Sequence, residues 1–277
     1  MIFIANRRFS CSLLFMLAAS LLFSIDSLGQ ILIGPRVGGQ MSWVSYDNSQ
    51  VKEYYDIEPL YGYFGGFTVA FRVRDRFFLQ TDFVYSRKGK VIEGTGDASK
   101  SDPELEYRSI THHFDLPIVY RMDFKGSFGE NLGFKYFVGL GPNISYWWKG
   151  NGTLKSGELL ESHIEELEYD VKFGGTNEND DPSILVIEDA NRVQLGINFA
   201  TGLVLEPTGG GVYIVDFRFE LGHSYLYKES PAQFSNITFV DPVKGRNMGF
   251  RLGFAYLLDT KVAQRKKGKS TGRNRRK

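Results

Sequence analysis

The stretch YGYFGGFTVAFRV, Tyr61 to Val73, decides the fold class. Tyr61, Tyr63, Phe67, Val69, Phe71 and Val73 fall on one face, and Gly62, Gly66, Thr68, Ala70 and Arg72 on the other. A period of two marks an extended strand, because successive side chains point to opposite sides of the backbone. One face is aromatic and aliphatic throughout, while the other is small or polar. Such a strand separates an apolar medium from a polar, closely packed one.

Seven further stretches repeat this division. Gln30 to Tyr46 sets Val37, Met41 and Trp43 against Arg36, Gly38, Gln40 and Ser42. Phe77 to Lys88 sets Phe77, Leu79, Phe83 and Tyr85 against Gln80, Asp82 and Ser86. Tyr107 to Met122 opposes Ile110, Phe114, Leu116, Ile118 and Tyr120 to Thr111, His113, Asp115 and Arg121. Gly133 to Trp147 opposes Tyr136, Val138, Leu140 and Ile144 to Lys135, Gly139, Gly141, Asn143 and Ser145. The stretches from Val193 to Leu205, Tyr213 to Ser224 and Asn247 to Leu258 follow the same rule. The expectation is an all-β fold, an eight-stranded antiparallel transmembrane β-barrel.

The chain ends and the charge distribution support export to an envelope. Arg7 and Arg8 precede an apolar run, Cys11 to Ile25, and Ser27 and Gly29 supply small residues for cleavage. Residues 1–29 therefore read as a cleavable signal peptide, residues 30–260 as the barrel, and residues 261–277 as a basic disordered periplasmic tail. The single cysteine, Cys11, leaves with the leader, so the mature chain has no disulfide. Residues 30–260 hold 22 Lys and Arg against 31 Asp and Glu, whereas the tail holds nine basic residues and no acidic one. No later stretch approaches the roughly 18 consecutive apolar residues of a spanning helix, which excludes helical membrane proteins but not barrels.

The connections orient the barrel. Residues 47–60, 89–106, 148–191 and 227–246 are long gaps, and 74–76, 123–132 and 207–211 are short ones. Outer-membrane barrels place short turns in the periplasm and long loops outside, which puts both termini in the periplasm. Pro35, Pro117 and Pro142 fall inside strands and are expected at bulges or near strand ends, because proline removes a ladder donor.

A secreted lipocalin-type barrel would share the strand count. The composition of the two faces argues for the membrane. An eight-stranded barrel has an interior only wide enough for side chains, and Arg36, Arg72, Asp82, Asp115, Arg121, Lys135, Asp216, Arg218, Glu220 and Arg251 fit there as mutually neutralising charges. The opposite face is too apolar for water. Aromatic residues near the strand ends (Tyr46, Tyr61, Tyr85, Trp147, Trp148, Tyr225, Tyr256) suit interfacial girdles.

Three motifs in order resemble the PorT-like outer-membrane β-barrel domain family of Bacteroidetes-type bacteria. Tyr85, Ser86, Lys88 and Gly89 match its Tyr-Ser-x-Lys-Gly strand end. Leu116, Pro117, Ile118 and Val119 match its proline motif, and Gly139, Gly141 and Pro142 its Gly-x-Gly-Pro segment. The resemblance implies an eight-stranded outer-membrane barrel and, for its namesake, a role in type IX secretion. It carries no catalytic residue onto this chain.

Residues with chemical potential are few. Ser86, His113 and Asp115 lie on one face of adjacent strands, the equipment of a barrel hydrolase or equally of an interior hydrogen-bonded cluster. The run from Trp148 to Asn191 is acidic, and Asn177 to Asp181 offers oxygen ligands without the ordered spacing of a calcium loop. A solvated external loop is expected there, with a short helix over Glu161 to Tyr169. No catalytic, cofactor-binding or metal-binding residue is assigned, and no cofactor is expected. The expected partners are outer-membrane lipid and envelope or secretion-apparatus proteins, with no nucleic acid, and the expected state is a monomer. The reading is a non-enzymatic barrel in envelope structure, adhesion or secretion, with a small-solute pore and a lipid-modifying or proteolytic enzyme as alternatives.

Overall fold

The computed structural model describes residues 30–97, 99–128, 132–175, 180–207, 210–235 and 237–260. The leader at 1–29 and the tail at 261–277 lie outside the described residues. Among the described residues twelve strands form one sheet: β1 (Ile31–Tyr46), β2 (Tyr55–Arg74), β3 (Phe77–Gly94), β4 (Glu106–Phe128), β5 (Leu132–Lys155), β6 (Leu167–Phe173), β7 (Ile184–Ile187), β8 (Val193–Leu205), β9 (Val212–Tyr225), β10 (Ala232–Phe234), β11 (Val240–Asp241) and β12 (Gly245–Asp259).

Eight of them close a ring in the order β1-β2-β3-β4-β5-β8-β9-β12, and β12 pairs back onto β1. Every neighbouring pair in the ring is antiparallel. The ring matches the expected barrel, but the total of eight strands is corrected to twelve. The four additional strands arise because β5 runs on past the ring and recruits β6, β7, β10 and β11 in turn.

Both ends of the described chain meet at the short-turn end. Leu32 stands opposite Asp259, and the Gln30 amide donates to the Asp259 carboxylate at 2.7 Å. The outward face is apolar, as the alternation predicts, with Tyr61 73 % and Phe67 62 % exposed. Cross-strand ring pairs such as Phe83–Phe114 and Phe217–Phe250, 6.0 and 5.3 Å between centroids, fix the register on that face.

Two of the three prolines depart from expectation. Pro35 pairs with Phe67 near the start of β1, whereas Pro117 pairs with Asn143 and Pro142 with Ile197 in mid-strand, all without a register shift. Each missing donor is absorbed as a local gap rather than an inserted residue; the β1–β12 ladder, for example, skips Gly34 and Pro35 and resumes in register at Arg36. The shifts fall elsewhere, at Pro59/Phe64, Arg72/Arg74, His112/His113 and Arg246/Met248.

The long connections are largely folded, which corrects the solvated-loop reading. β2 begins at Tyr55 and β3 runs to Gly94, so much of two gaps is strand. The acidic run holds the end of β5, a helical turn at Gly157–Glu161, β6 and β7. The helix lies before Glu161–Tyr169 rather than over it, because Ser156 caps it by accepting from the Leu159 N–H at 3.3 Å and Leu167 already enters β6. Together with β10 and β11 these elements make a cap over the barrel mouth, around a core that includes Ile92, Tyr107, Trp147, Leu154, Tyr169, Leu185, Tyr227 and Phe234.

Candidate functional site

Between an open vestibule at one end and the cap at the other, the lumen is packed with side chains. At the short-turn end a vestibule of about 660 Å³ opens between Arg72, Asp123, Lys135 and Glu206 and stops at Phe78 and Val212. Arg72 and Lys135 were expected in the interior, but both lie at this rim. Lys135 bonds the exposed Glu206 at 2.6 Å and Arg72 reaches the Asp75 carbonyl at 3.2 Å. Their strands end there, so water is within reach. The next layer is apolar, built from Leu32, Val119, Phe137, Val204, Ile214 and Leu257, with Arg121 held between the Phe78 and Phe137 rings at 4.7 and 4.9 Å.

Two neutral charge quartets lie above it. In the first, Arg36 on β1 contacts Asp216 and Asp82, and Arg218 on β9 contacts Asp82 at 2.6 Å and Asp216 at 3.4 Å. In the second, Lys88 contacts Asp115 at 3.2 Å and Glu220 at 2.7 Å, while Arg251 contacts both Asp115 and, at 2.7 Å, Glu220. Each quartet has two cations and two carboxylates from opposite walls, and all eight side chains are buried. The Phe64 ring sits between them, 5.9 Å from the Arg36 guanidinium and 5.5 Å from that of Arg251. Burying charge is tolerable because each ion has opposite charges and hydrogen bonds around it.

A third contact joins lumen and cap. Lys90 on β3 bonds Asp241 on β11 through both carboxylate oxygens, at 2.5 and 2.7 Å. Tyr46 and Tyr107 donate to the same carboxylate at 3.1 and 3.2 Å. The rings of Tyr46, Tyr107 and Tyr227 surround the ammonium, 5.2 to 6.0 Å away. A cavity of about 10 Å³ remains beside this latch, about the space of one water molecule. The sequence reading ended the third strand at Lys88 and so missed Lys90; the period-two series Ser86, Lys88, Lys90 carried the signal.

Ser86, His113 and Asp115 do come together, but in the wrong order for a relay. Ser86 donates directly to Asp115 at 2.6 Å, whereas the His113 ring bonds Thr111 at 3.0 Å and Ser145 at 3.4 Å. All three are buried beneath the cap, and His113 stacks on Trp147 at 6.0 Å. Ser86 bonds the carboxylate and not the imidazole, and the cluster is buried, so the serine–histidine contact and the open approach of a serine hydrolase are not formed by these three residues.

The cap is tied by its acidic residues. The backbone N–H groups of Lys228, Glu229 and Ser230 donate to Asp189 at 3.2, 2.8 and 3.2 Å, and that of Thr238 donates to Glu158 at 2.9 Å. Burial pushes the Asp189 carboxyl up, and the three N–H donors outweigh it, leaving the group below the usual range. Asn177 to Asn179, within the candidate calcium run, lie outside the described residues; among the described residues no group of three metal-ligating side chains converges.

A closed ring of strands, apolar outside and packed with compensated charge inside, is a transmembrane β-barrel. The chain matches the outer membrane protein beta-barrel domain family over residues 23–227 and belongs to that family. It is an outer-membrane protein. No curated protein sequence matches it significantly. Among solved structures it is similar to OprG from Pseudomonas aeruginosa, with 11 % identity, 83 % of this chain and 96 % of that one covered, and a TM-score of 0.44. It is also similar to Ail, the attachment invasion locus protein of Yersinia pestis, at 9 % identity, 83 % and 100 % coverage and a TM-score of 0.32. The outer membrane protease OmpT from Escherichia coli shows 9 % identity, 84 % and 98 % coverage and a TM-score of 0.35.

Proposed function

We propose that the protein is a closed, non-enzymatic scaffold that anchors a folded cap at the cell surface, with its working surface on the cap. The short-turn end and both termini face the periplasm in this reading, following the general rule for outer-membrane barrels. One observation carries it: two ion-paired quartets bridge opposite walls of the lumen beneath a cap latched by Lys90 and Asp241. A solute pore needs a continuous aqueous path, and a hydrolase needs a reachable nucleophile. A rigid plugged barrel serves instead to hold a recognition surface in place, in adhesion, in envelope structure or, as the PorT-like motifs suggest, in a secretion assembly.

Planar-bilayer recording on the purified protein tests the closed lumen, and stable open channels would refute it. Crosslinking in intact envelopes, followed by purification of the barrel, tests the scaffold role. Recovery of secretion components supports the PorT-like reading, and recovery of none removes it.

A further inference from the structure

At the level where the barrel meets the cap, Arg87, Lys149 and Arg192 form a row across neighbouring strands, with His112 between the first two. Arg87 on β3 stands opposite His112 on β4, and His112 stands opposite Lys149 on β5. Arg192, just before β8, joins the row beside β5: its carbonyl accepts from the Trp147 N–H at 2.7 Å, and its guanidinium lies 4.8 Å from both the exposed Tyr146 ring and the Phe173 ring of the cap. Neighbouring strands lie about 4.8 Å apart, so the row is compact.

Arg87, Lys149 and Arg192 have no carboxylate partner among the described residues. Arg87 donates to the Tyr61 carbonyl at 3.1 Å, and Arg192 to the Trp147 and Trp148 carbonyls at 3.2 and 3.3 Å. Lys149 lies over the Trp148 ring at 5.4 Å, and the two ring nitrogens of His112 are taken by the Tyr85 hydroxyl and, at 3.2 Å, by Asn151. Elsewhere at the surface, Arg246 is paired with Asp47 and Lys155 with Glu106. The row gathers its positive charge on a barrel whose residues 30–260 carry more acid than base.

The height of the row is marked by a second feature. Tyr63, Tyr85, Phe114 and Trp148 make a chain of ring contacts, at 6.4, 6.0 and 5.7 Å, on the outward face. Tyr85 also stacks on His112 at 5.8 Å, and Arg192 lies 4.8 Å from the Tyr146 ring. Aromatic belts of this kind sit at headgroup level. The cations therefore meet the phosphate layer rather than hydrocarbon or bulk water.

We propose that Arg87, Lys149 and Arg192 form a binding belt for the phosphate groups of an anionic glycolipid in the outer leaflet. Planar guanidinium groups pair with phosphate oxygens in a bidentate manner, and Lys149 adds a point charge. The aromatic belt below receives the acyl chains. The assignment to the outer leaflet rests on the orientation given under the proposed function.

The test measures binding of diphosphoryl lipid A to the full-length protein in neutral detergent, with the phosphate-free lipid as comparator. The triple variant R87Q/K149Q/R192Q should bind the diphosphoryl lipid at least tenfold more weakly, and the phosphate-free lipid should bind the wild type equally weakly. The variant R72Q/R76Q, at the opposite end, should bind like the wild type. Wild-type affinity in the triple variant, equal affinity for the phosphate-free lipid, or full competition by millimolar inorganic phosphate would each overturn the belt. A cysteine introduced as K100C, on the long-connection end, separates the orientation from the binding. Labelling by an impermeant maleimide in intact cells supports the outer leaflet, and labelling only after permeabilisation overturns that placement whatever the affinities show.

Discussion

The Lys90 ammonium, on a wall of the barrel, is held by both oxygens of the Asp241 carboxylate, on the last short strand of the cap, at 2.5 and 2.7 Å. The two residues are 151 positions apart and both are buried. The contact fixes the cap to the membrane-embedded ring by one charge pair. Replacing Asp241 by alanine leaves a buried ammonium without its counter-ion, a loss of about 3–5 kcal/mol. In D241A, hydrogen exchange should rise across residues 227–246 and stay unchanged at Asp216 and Glu220. The double variant D241A/K90M should recover much of the protection, because it removes the stranded charge together with its partner.

A second prediction separates structural from catalytic readings of the interior cluster. Asp115 meets Lys88 at 3.2 Å, Arg251 and the Ser86 hydroxyl, whereas Ser86 gives up one hydrogen bond. Replacing Asp115 by alanine should cost about 3–5 kcal/mol. S86A should cost about 1 kcal/mol, the net worth of one hydrogen bond. The heat-modifiable gel shift should therefore move to much lower temperature in D115A and only slightly in S86A. Equal, large losses of a hydrolytic activity in S86A, H113A and D115A, with unchanged gel behaviour, would instead support a relay.

Much of this interior was legible in the sequence. Arg36, Asp82, Asp216 and Arg218 share the polar side of their strands at a period of two, so their inward direction follows from alternation. Their pairing into closed quartets was not legible, because it depends on ring closure between β1, β3 and β9. The inward apolar layer of Phe137, Val204 and Ile214 was hidden for a different reason: at the short-turn end both faces of the strands are apolar, and alternation disappears. The cap was missed because its strands are short. The four residues of β7 and the three of β10 carry too few repeats to stand out from an acidic background, although Tyr169, Leu185 and Phe234 turned inward supply much of the core.

Gly253 offers a steric test of the first quartet. A Cβ there would lie 2.6 Å from Arg36 Nη2 and 2.8 Å from Asp216 Oδ1, so the pair occupies the space a side chain would take. G253A should destabilise the barrel by about 1–3 kcal/mol through overpacking. At Gly65 a Cβ would meet nothing closer than 3.8 Å, and G65A should be neutral or stabilising by about 0.4–1 kcal/mol, through the unfolded chain. Urea unfolding in lipid vesicles should rank the variants G65A, wild type, G253A, from most to least stable. The reverse order would mean that the quartet is not packed against β12.

The cap should also respond to acid through Asp189. Burial raises its carboxyl and the N–H groups of Lys228, Glu229 and Ser230 lower it by more, so the folded group titrates below its ordinary value. A depressed carboxylate stabilises the fold above the unfolded pKa of about 4, and that contribution is lost as pH falls through the folded value. Residues 228–230 are held to the end of β7 by this carboxylate, so acid should release them before the barrel opens. Hydrogen exchange corrected for its intrinsic pH dependence should show protection at Glu229 and Ser230 that is constant from pH 7 to pH 5 and falls below pH 4. The variant D189N keeps an oxygen acceptor but cannot titrate, so its protection should be weaker at pH 7 and should not show the acid step. An acid step of the same size in D189N would assign the transition to another carboxylate of the cap, with Glu158, which accepts from Thr238, as the next group to replace.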